Sequence, residues 1–411
     1  MYEELPPVLA GPVLRRVEPE GVVVWLATSR RCSVQGEVWP SFPAEDGAPE
    51  DLRGLSLAPL GTGSAHTVKL GDALHVHLLT LRPEGDEAFP TGRLLRYSLT
   101  VEAEGDGDGE RESEAIPDPA AGLGLFGDFS WPSFVIQGPR QNLRALYASC
   151  RKLHGEGGDA APAALALLRR AALDPDRRPQ VLLLTGDQIY ADDVSDLLVR
   201  DLAALGQRLT GHLERIPGLS GVGTGEVRGR AEPVARDAGL TSGEAENHLV
   251  RFGEYAALYL LSWNPDLWRD LPSVGDVMAA MDTDERVQRD TYLDEYMRQR
   301  RALEDAREGS RALRRVLANV ATYMIFDDHE VTDDWNLNER WENEVLGTRA
   351  GRRILANGLA AYWAFQGWGN RPSDFEEDRF IEPVEAHLGR RSGPQAAASF
   401  EETLLDYPHW W

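Results

Sequence analysis

The first part of the chain alternates apolar and polar residues in short runs that Gly, Pro and acidic residues separate. In one run, Tyr97, Leu99 and Val101 alternate with polar residues, which is the period of a half-buried strand. The runs typical of strands are 21–27, 32–39, 73–81 and 96–102. Several short strands at this spacing predict an N-terminal all-β sandwich domain over residues 1–103.

The pattern changes after a glycine-rich acidic stretch, 104–112, which is too polar to pack. We expect residues 104–140 to form an acidic linker and connecting segment. The predicted strands beyond it are 144–149, 180–185 and 319–326, and the predicted helices are 160–172, 252–263, 285–306 and 348–367. Strands that alternate with helices predict an α/β domain over 141–411, with a parallel or mixed sheet and a helical insertion at about 200–318. Between 202 and 247 the pattern has no clear period.

Charge and cysteine content narrow the class of protein. The 411 residues include 43 Lys and Arg against 67 Asp and Glu, a formal net charge of −24. Nucleic acids and anionic membranes attract clustered positive charge, so we expect neither as a partner. The N-terminus shows no apolar signal segment, and the two cysteines fall in different predicted domains. We therefore expect a cytoplasmic protein.

Three predicted strands are each followed by residues of types that bind metal ions. These strand ends carry Cys150, Asp187 with Tyr190, and Asp328 with His329. In open α/β sheets, ligands bind beyond the carboxyl ends of the strands. Unpaired carboxylates at one sheet edge repel each other, so a cation is their natural partner. The pattern predicts a site for more than one metal ion.

Several strings around these residues resemble the alkaline phosphatase D, or PhoD-like, family of metallophosphatases. The matching strings are Ser149-Cys150-Arg151, 186–192 and 327–335, with a weaker match at 358–370. The resemblance implies the four-layer α/β sandwich of metallophosphatases, here incomplete, behind an all-β domain. It also implies a phosphomonoesterase or phosphodiesterase, in which a metal-bound hydroxide attacks a small-molecule phosphoester.

The resemblance also assigns roles to individual residues. It makes Asp187 a catalytic carboxylate that bridges two metal ions, and it places His329 beside the substrate as an acid or charge stabiliser. The implied metal ligands are Cys150, Asp187, Tyr190 and Asp328. A thiolate and a phenolate suit ferric iron. Calcium suits the remaining oxygen ligands, Asp187 and Asp328, to which Asp192 could contribute. Manganese and zinc are the alternatives.

Three basic residues beside Cys150 have two interpretations. Arg151, Lys152 and His154 could hold the substrate phosphate, or they could simply be exposed on the surface.

The end of the chain departs from the family pattern. The family ordinarily supplies further ligands from a late Gly-Asp-Val-His-type segment, but the only histidines after His329 are His387 and His409. The sequence stops at His409-Trp410-Trp411, which suggests an interruption. We therefore expect poor hydrolysis by this chain alone and possible self-association through an uncovered C-terminal face. The alternative function is a catalytically silent metal-binding or interaction protein.

Two histidines of a predicted strand could also suggest a metal site. His75 and His77 lie on one face of the strand, while Leu74, Val76 and Leu78 lie on the other. This alternation favours a solvent-facing histidine pair over a metal site.

Overall fold

The computed structural model describes residues 4–408 apart from 42–57, 86, 105–112, 126–129, 282–288, 378 and 391–392. The acidic stretch 105–112 and His409-Trp410-Trp411 lie outside the described residues. The described chain is mixed α/β, with a curled antiparallel sheet, a smaller parallel sheet and many helices. The α/β class expected from the sequence is confirmed, and the four-layer arrangement stays a prediction.

The antiparallel sheet has eight strands within the described ranges. They are β1 (Val8–Glu18), β2 (Gly21–Thr28), β3 (Cys32–Pro40), β4 (Gly61–Gly71), β5 (Leu74–Pro83), β6 (Leu94–Ala103), β7 (Glu114–Ile116) and β8 (Ser133–Val135). Their order is β1-β2-β5-β4-β3-β6-β7, with β8 paired to β6. The four predicted strands are confirmed, but β5 pairs with both β2 and β4 and so joins all strands into one continuous sheet.

The prediction that the histidine pair in β5 faces solvent is wrong. His75 is 5% exposed and His77 is fully buried, because β5 lies inside the sheet and most of its residues are covered on both faces. The two ring nitrogens of His77 lie 2.8 Å from the Thr28 and Thr67 hydroxyls. Burial, with a smaller contribution from His75, lowers the pKa of His77 to about 3. These histidines are therefore neutral residues of the sheet interior.

The second sheet is parallel, as predicted. Its strands are β9 (Ala145–Ala148), β10 (Val181–Thr185) and β11 (Ala321–Ile325), with β10 in the middle. In register, Leu182 of β10 lies between Leu146 of β9 and Thr322 of β11. The carboxyl ends of all three strands therefore meet at one edge.

The described ranges also contain twelve α-helices. They are α1 (Ala161–Arg170), α2 (Val199–Thr210), α3 (Ala231–Ala238), α4 (Phe252–Trp263), α5 (Val274–Ala279), α6 (Arg289–Asn319), α7 (Glu339–Leu346), α8 (Arg349–Tyr362), α9 (Trp368–Asn370), α10 (Pro372–Glu377), α11 (Ile381–Val384) and α12 (Pro394–Leu405). Short 3₁₀ turns span Ala245–Asn247, Pro265–Leu267 and Asp328–Glu330, and π-helical turns span Trp363–Gly367 and Glu385–Gly389. Among the described helices, none has an apolar stretch long enough to cross a bilayer.

One hydrophobic cluster extends from the antiparallel sheet into the helices. Trp25 of β2 lies against Trp263 and Phe365, with ring centroids 5.4 Å apart in both pairs. The Trp25 indole also donates to the Ala364 carbonyl over 2.7 Å. Every residue of the apolar helix α4 is buried in this region. This core contains residues from both predicted domains, and the domain boundaries stay predictions.

The parallel sheet is buried on one face and exposed on the other. Leu182, Leu184 and Met324 point into the core, whereas Tyr147 is 71%, Ile325 52% and Leu183 37% exposed. Parallel sheets in proteins are usually covered on both faces. The expected self-association through a C-terminal face stays a prediction, and this exposed apolar face is a second surface at which copies of the chain could associate.

The exposed face predicts weak, concentration-dependent association. We expect the double variant Tyr147→Ser, Ile325→Ser to shift the protein towards the 45.5 kDa monomer, because it removes apolar area from the contact. Light scattering coupled to size exclusion over a concentration series measures this shift. Leu167→Ser is the control, since Leu167 is 48% exposed on α1 and lies off this face. A wild-type chain that is monomeric at every concentration would contradict the prediction.

Candidate metal centre

The carboxyl edge of the parallel sheet gathers the predicted ligands. Cys150 follows β9, Asp187 follows β10, and Asp328 and His329 follow β11. Because β10 pairs in parallel with both neighbours, these loops leave the sheet side by side. The structure therefore brings together residues that lie as much as 179 positions apart, from Cys150 to His329.

Backbone hydrogen bonds join the loops after β9 and β10. The Cys150 amide donates to the Gly186 carbonyl over 3.1 Å, and the Arg151 amide donates to the Asp187 carbonyl over 2.8 Å. Cys150 and Asp187 have φ angles of 57° and 52°, in the left-handed region that side chains other than glycine seldom adopt. Such strain is typical of functional sites, where the surrounding structure maintains it.

Asp187, Asp328 and His329 form a group able to hold a metal ion. Each offers a ligand atom, and these atoms all lie within 4.8 Å of one another. Asp187 is 4% exposed, and its Oδ1 is buried and accepts no hydrogen bond within the described part of the chain. A buried acceptor normally has a partner. A cation would satisfy this atom, so the donor set fits a metal ion.

Electrostatics of the group also favour a cation. Burial raises the pKa of Asp187, although interactions with the Cys150 thiol and with His329 partly offset this effect. Burial likewise raises the pKa of Asp328, and the carboxylates of Asp327 and Asp187 raise it further. The ionised carboxylates are therefore disfavoured in the protein alone, and a bound cation would restore them.

His329 is held by a buried carboxylate. Its Nδ1 lies 2.9 Å from Asp192 Oδ1, while Asp192 Oδ2 accepts from the Ser242 hydroxyl and the Asp333 amide. Burial opposes the charge on His329, but the bond to Asp192 and the other carboxylates raise its pKa to about 9. Burial also opposes the charge on Asp192, but His329 and other neighbours lower its pKa to about 2. Both oxygens of Asp192 thus have protein donors, and the bond to Oδ1 fixes the orientation of the His329 ring.

Cys150 and Tyr190 lie beside the group of three. The Tyr190 hydroxyl donates to Asp187 Oδ2 over 3.3 Å, and its ring stacks on His329 with centroids 4.3 Å apart. The Cys150 thiol interacts with both Asp187 and Tyr190, but its sulfur is outside the 4.8 Å group. Burial and the Asp187 carboxylate raise the pKa of Tyr190 well above 10. Metal binding by Cys150 and Tyr190 stays a prediction.

The three predicted phosphate-binding residues have protein partners. Arg151 donates to Asp159 Oδ2 over 2.7 and 3.0 Å and to the Ser262 carbonyl over 2.9 Å, and its side chain is only 17% exposed. Lys152 and His154 both bind the carboxylate of Asp193. Arg151 therefore connects structural elements, whereas the Lys152 ammonium also lies 5.7 Å from the Tyr190 ring centroid, next to the candidate centre.

The sequence interpretation missed one residue of the centre, Glu330. Its carboxylate is fully buried and accepts the Asp327 amide over 2.8 Å. The Asp327 side chain in turn accepts the backbone amide of Glu330, so the two acidic residues form a capping box around the 3₁₀ turn. An Asp followed three residues later by Glu is the sequence signal of such a box, and it could have identified this role.

Comparisons with known proteins identify no family. No protein-family model matches the chain, and no curated protein sequence matches it. One similar solved structure is that of PhoD, with 13% identity and a TM-score of 0.39, covering 87% of this chain and 45% of that chain. Another is the type III pullulan hydrolase from Thermococcus kodakarensis, with 10% identity and a TM-score of 0.17, covering 86% and 71%. Neither TM-score is high enough to establish a shared fold.

Gly186 allows the β10 loop to approach the β11 loop. Its φ is 102°, and a Cβ at this position would lie 2.4 Å from Asp327 Cβ. We expect Gly186→Ala to lower the free energy of unfolding by about 1–3 kcal/mol more than Gly157→Ala does. Gly157 is the matched control, since its φ is 93° and a Cβ there would meet no atom within 4 Å. Urea unfolding of the metal-free chains measures both values, and equal losses would refute the steric explanation.

The Asp192 carboxylate should determine the ionisation of His329. The pKa of about 9 exceeds the ordinary 6.5, so protonated His329 stabilises the fold fully below about pH 6.5. That contribution is lost as the pH rises through about 9. We expect Asp192→Asn to lower the pKa of His329, measured by histidine NMR titration of the metal-free protein. Asp193→Asn is the control, because it should leave His329 unchanged, and an unshifted pKa in Asp192→Asn would contradict the assignment.

Proposed function

We propose that the chain is a metal-dependent phosphoester hydrolase whose centre is the group of Asp187, Asp328 and His329. The observation that carries the proposal is that ligand atoms of these three residues lie within 4.8 Å of one another, where Asp187 also has a buried Oδ1 with no hydrogen-bond partner among the described residues. Convergence of three parallel strand ends on this point adds support. The resemblance of the surrounding strings to PhoD-like phosphatases supplies the reaction class.

The chain's own residues hold and orient the reacting groups. Asp187 and Asp328 supply carboxylate oxygens, and the bond to Asp192 fixes the ring of His329. A bound metal ion would act as a Lewis acid on a phosphoryl oxygen and lower the pKa of a water molecule. Tyr190 supports one side of the His329 ring by stacking.

His329 is the proposed general acid or charge stabiliser. With a pKa of about 9 in the metal-free chain, the imidazole is protonated at neutral pH and has no lone pair for a metal ion. The two carboxylates would therefore hold the metal ion, and His329 could donate a proton to the leaving oxygen of a phosphoester. Lys152 is the favoured phosphate contact among the basic residues, because its ammonium lies close to Tyr190 and could move from Asp193 to an anionic ligand. Arg151 is less suited, since it already bonds to Asp159 and Ser262.

The metal identity, partners and location belong to the same proposal. The proximity of the Cys150 thiol and the Tyr190 phenol favours ferric iron with calcium, and manganese and zinc are the alternatives. The substrate would be a small-molecule phosphoester, with no nucleic-acid or membrane partner, in the cytoplasm. A catalytically silent metal-binding or interaction protein is the alternative function.

The test is metal analysis and hydrolysis by the same protein preparation. The purified chain is stripped of metal, reloaded with iron, calcium, manganese or zinc, and assayed with p-nitrophenyl phosphate and bis-p-nitrophenyl phosphate. We expect metal-dependent release of p-nitrophenol. Asp328→Asn should lower kcat/KM at least as much as the roughly ten- to hundredfold loss caused by removing an outer partner of a metal site.

Glu339→Gln is the matched control, because Glu339 is an exposed carboxylate at the start of α7 and lies outside the group. It should bind metal and turn over substrate like the wild type. Stoichiometric metal binding without turnover on either ester would favour the silent metal-binding protein. Absence of metal binding in the wild type would refute the hydrolase and the silent metal-binding protein, and would favour an interaction protein.

A further inference from the structure

Glu330 is a buried carboxylate surrounded by hydrogen-bond donors from both ligand loops. Its Oε2 accepts the Asp187 amide over 3.1 Å and the Asp327 amide over 2.8 Å. Its Oε1 accepts the Gln188 amide over 2.5 Å and the Gln366 side-chain amide over 3.0 Å. One side chain therefore connects the loop after β10 with the loop after β11.

Because of these bonds, Glu330 is not expected to be a metal ligand itself. Each of its two oxygens already accepts two donors, so little acceptor capacity is left for a metal ion. Two of the donors are the backbone amides of Asp187 and Gln188, and a third belongs to Asp327, next to Asp328. The bonds of Glu330 thus act on the backbone from which the ligand carboxylates extend.

The carboxylate is also tied to the protein core. Gln366 donates to Glu330 and also to the Tyr259 hydroxyl over 2.8 Å, and Tyr259 lies in the buried helix α4. The Gln366 carbonyl accepts from the buried Arg15 of β1 over 2.7 Å. Through Gln366, Glu330 therefore connects two packed elements, α4 and β1, with the two ligand loops.

We propose that Glu330 is the positioning residue that fixes the Asp187 and Asp328 loops relative to each other. Four short bonds to two loops and to the core leave the loops little freedom to separate. The consequence for metal affinity rests on the proposed function, whereas the consequence for loop order does not.

The experiment compares Glu330→Gln with Glu330→Asp. In Glu330→Gln the amide NH₂ must face at least one backbone N–H that had an acceptor, and Glu330→Asp is too short to reach both loops. Hydrogen exchange of the metal-free chains, followed by mass spectrometry, should become faster in peptides covering 186–190 and 326–330. Titration with Mn²⁺ should show an affinity lower by roughly ten- to a hundredfold.

Asp118→Asn is the matched control. Asp118 likewise accepts neutral donors, the backbone amides of Leu99 and Ala120 and the Trp131 indole, over 3.2, 2.9 and 2.8 Å, and these partners lie in neither ligand loop. The variant should leave exchange at 186–190 and 326–330 and the Mn²⁺ affinity unchanged.

The outcomes separate this proposal from the proposed function. Wild-type exchange at both loops in both Glu330 variants, or an equal increase in Asp118→Asn, would overturn the positioning role. Unchanged Mn²⁺ affinity in Glu330 variants of a wild type that binds Mn²⁺ would overturn it too. If the wild type binds no Mn²⁺, the proposed function fails, and faster exchange confined to the Glu330 variants still supports the positioning role.

Discussion

The parallel pairing of β10 with β9 on one side and β11 on the other determines where every candidate ligand lies. Because the three strands run in the same direction, their carboxyl ends open onto one edge, and the following loops must share limited space. Gly186 and the left-handed backbone of Cys150 and Asp187 allow the close approach. The position of the centre thus follows from strand direction, and the loops provide its chemistry.

Two buried carboxylates near the centre have pKa values shifted in opposite directions. Asp192 faces His329, and this cationic partner lowers its pKa to about 2 despite burial. Burial raises the pKa of Glu330, and its hydrogen-bond donors are neutral amides that only partly offset the loss of solvation. Asp192 thus keeps a histidine protonated, whereas Glu330 organises backbone amides. The charge of the partner determines the direction in which each pKa is shifted.

The antiparallel sheet contributes to the centre through the core. Arg15 is fully buried, and burial lowers its pKa to about 10, yet it donates to the carbonyls of Thr322, Phe365 and Gln366. These bonds connect β1 with β11 and with the π-helical turn that supplies Gln366 to Glu330. A buried cation among carbonyl dipoles depends on good geometry, so the contact fixes the relative positions of the two sheets.

Local patterns determined the elements of this protein. Apolar runs predicted β2, β5, β10 and α4, because a strand or helix that is buried along its length consists mainly of apolar residues. The strand β4 was missed, since its glycines and polar residues pair through the backbone and leave no apolar period. The sequence also placed Cys150, Asp187, Tyr190, Asp328 and His329 at one edge of the sheet, because parallel strands bring their ends together.

Only the tertiary structure decided which partners these groups have. His75 and His77 alternate like a solvent-facing pair but are buried, because the surroundings of β5 come from other parts of the chain. The bond between Asp192 and His329 spans 137 residues, and the bond between Glu330 and Gln188 spans 142. A side chain's charge state depends on its burial and neighbours, and residues so distant in sequence become neighbours only when the chain folds.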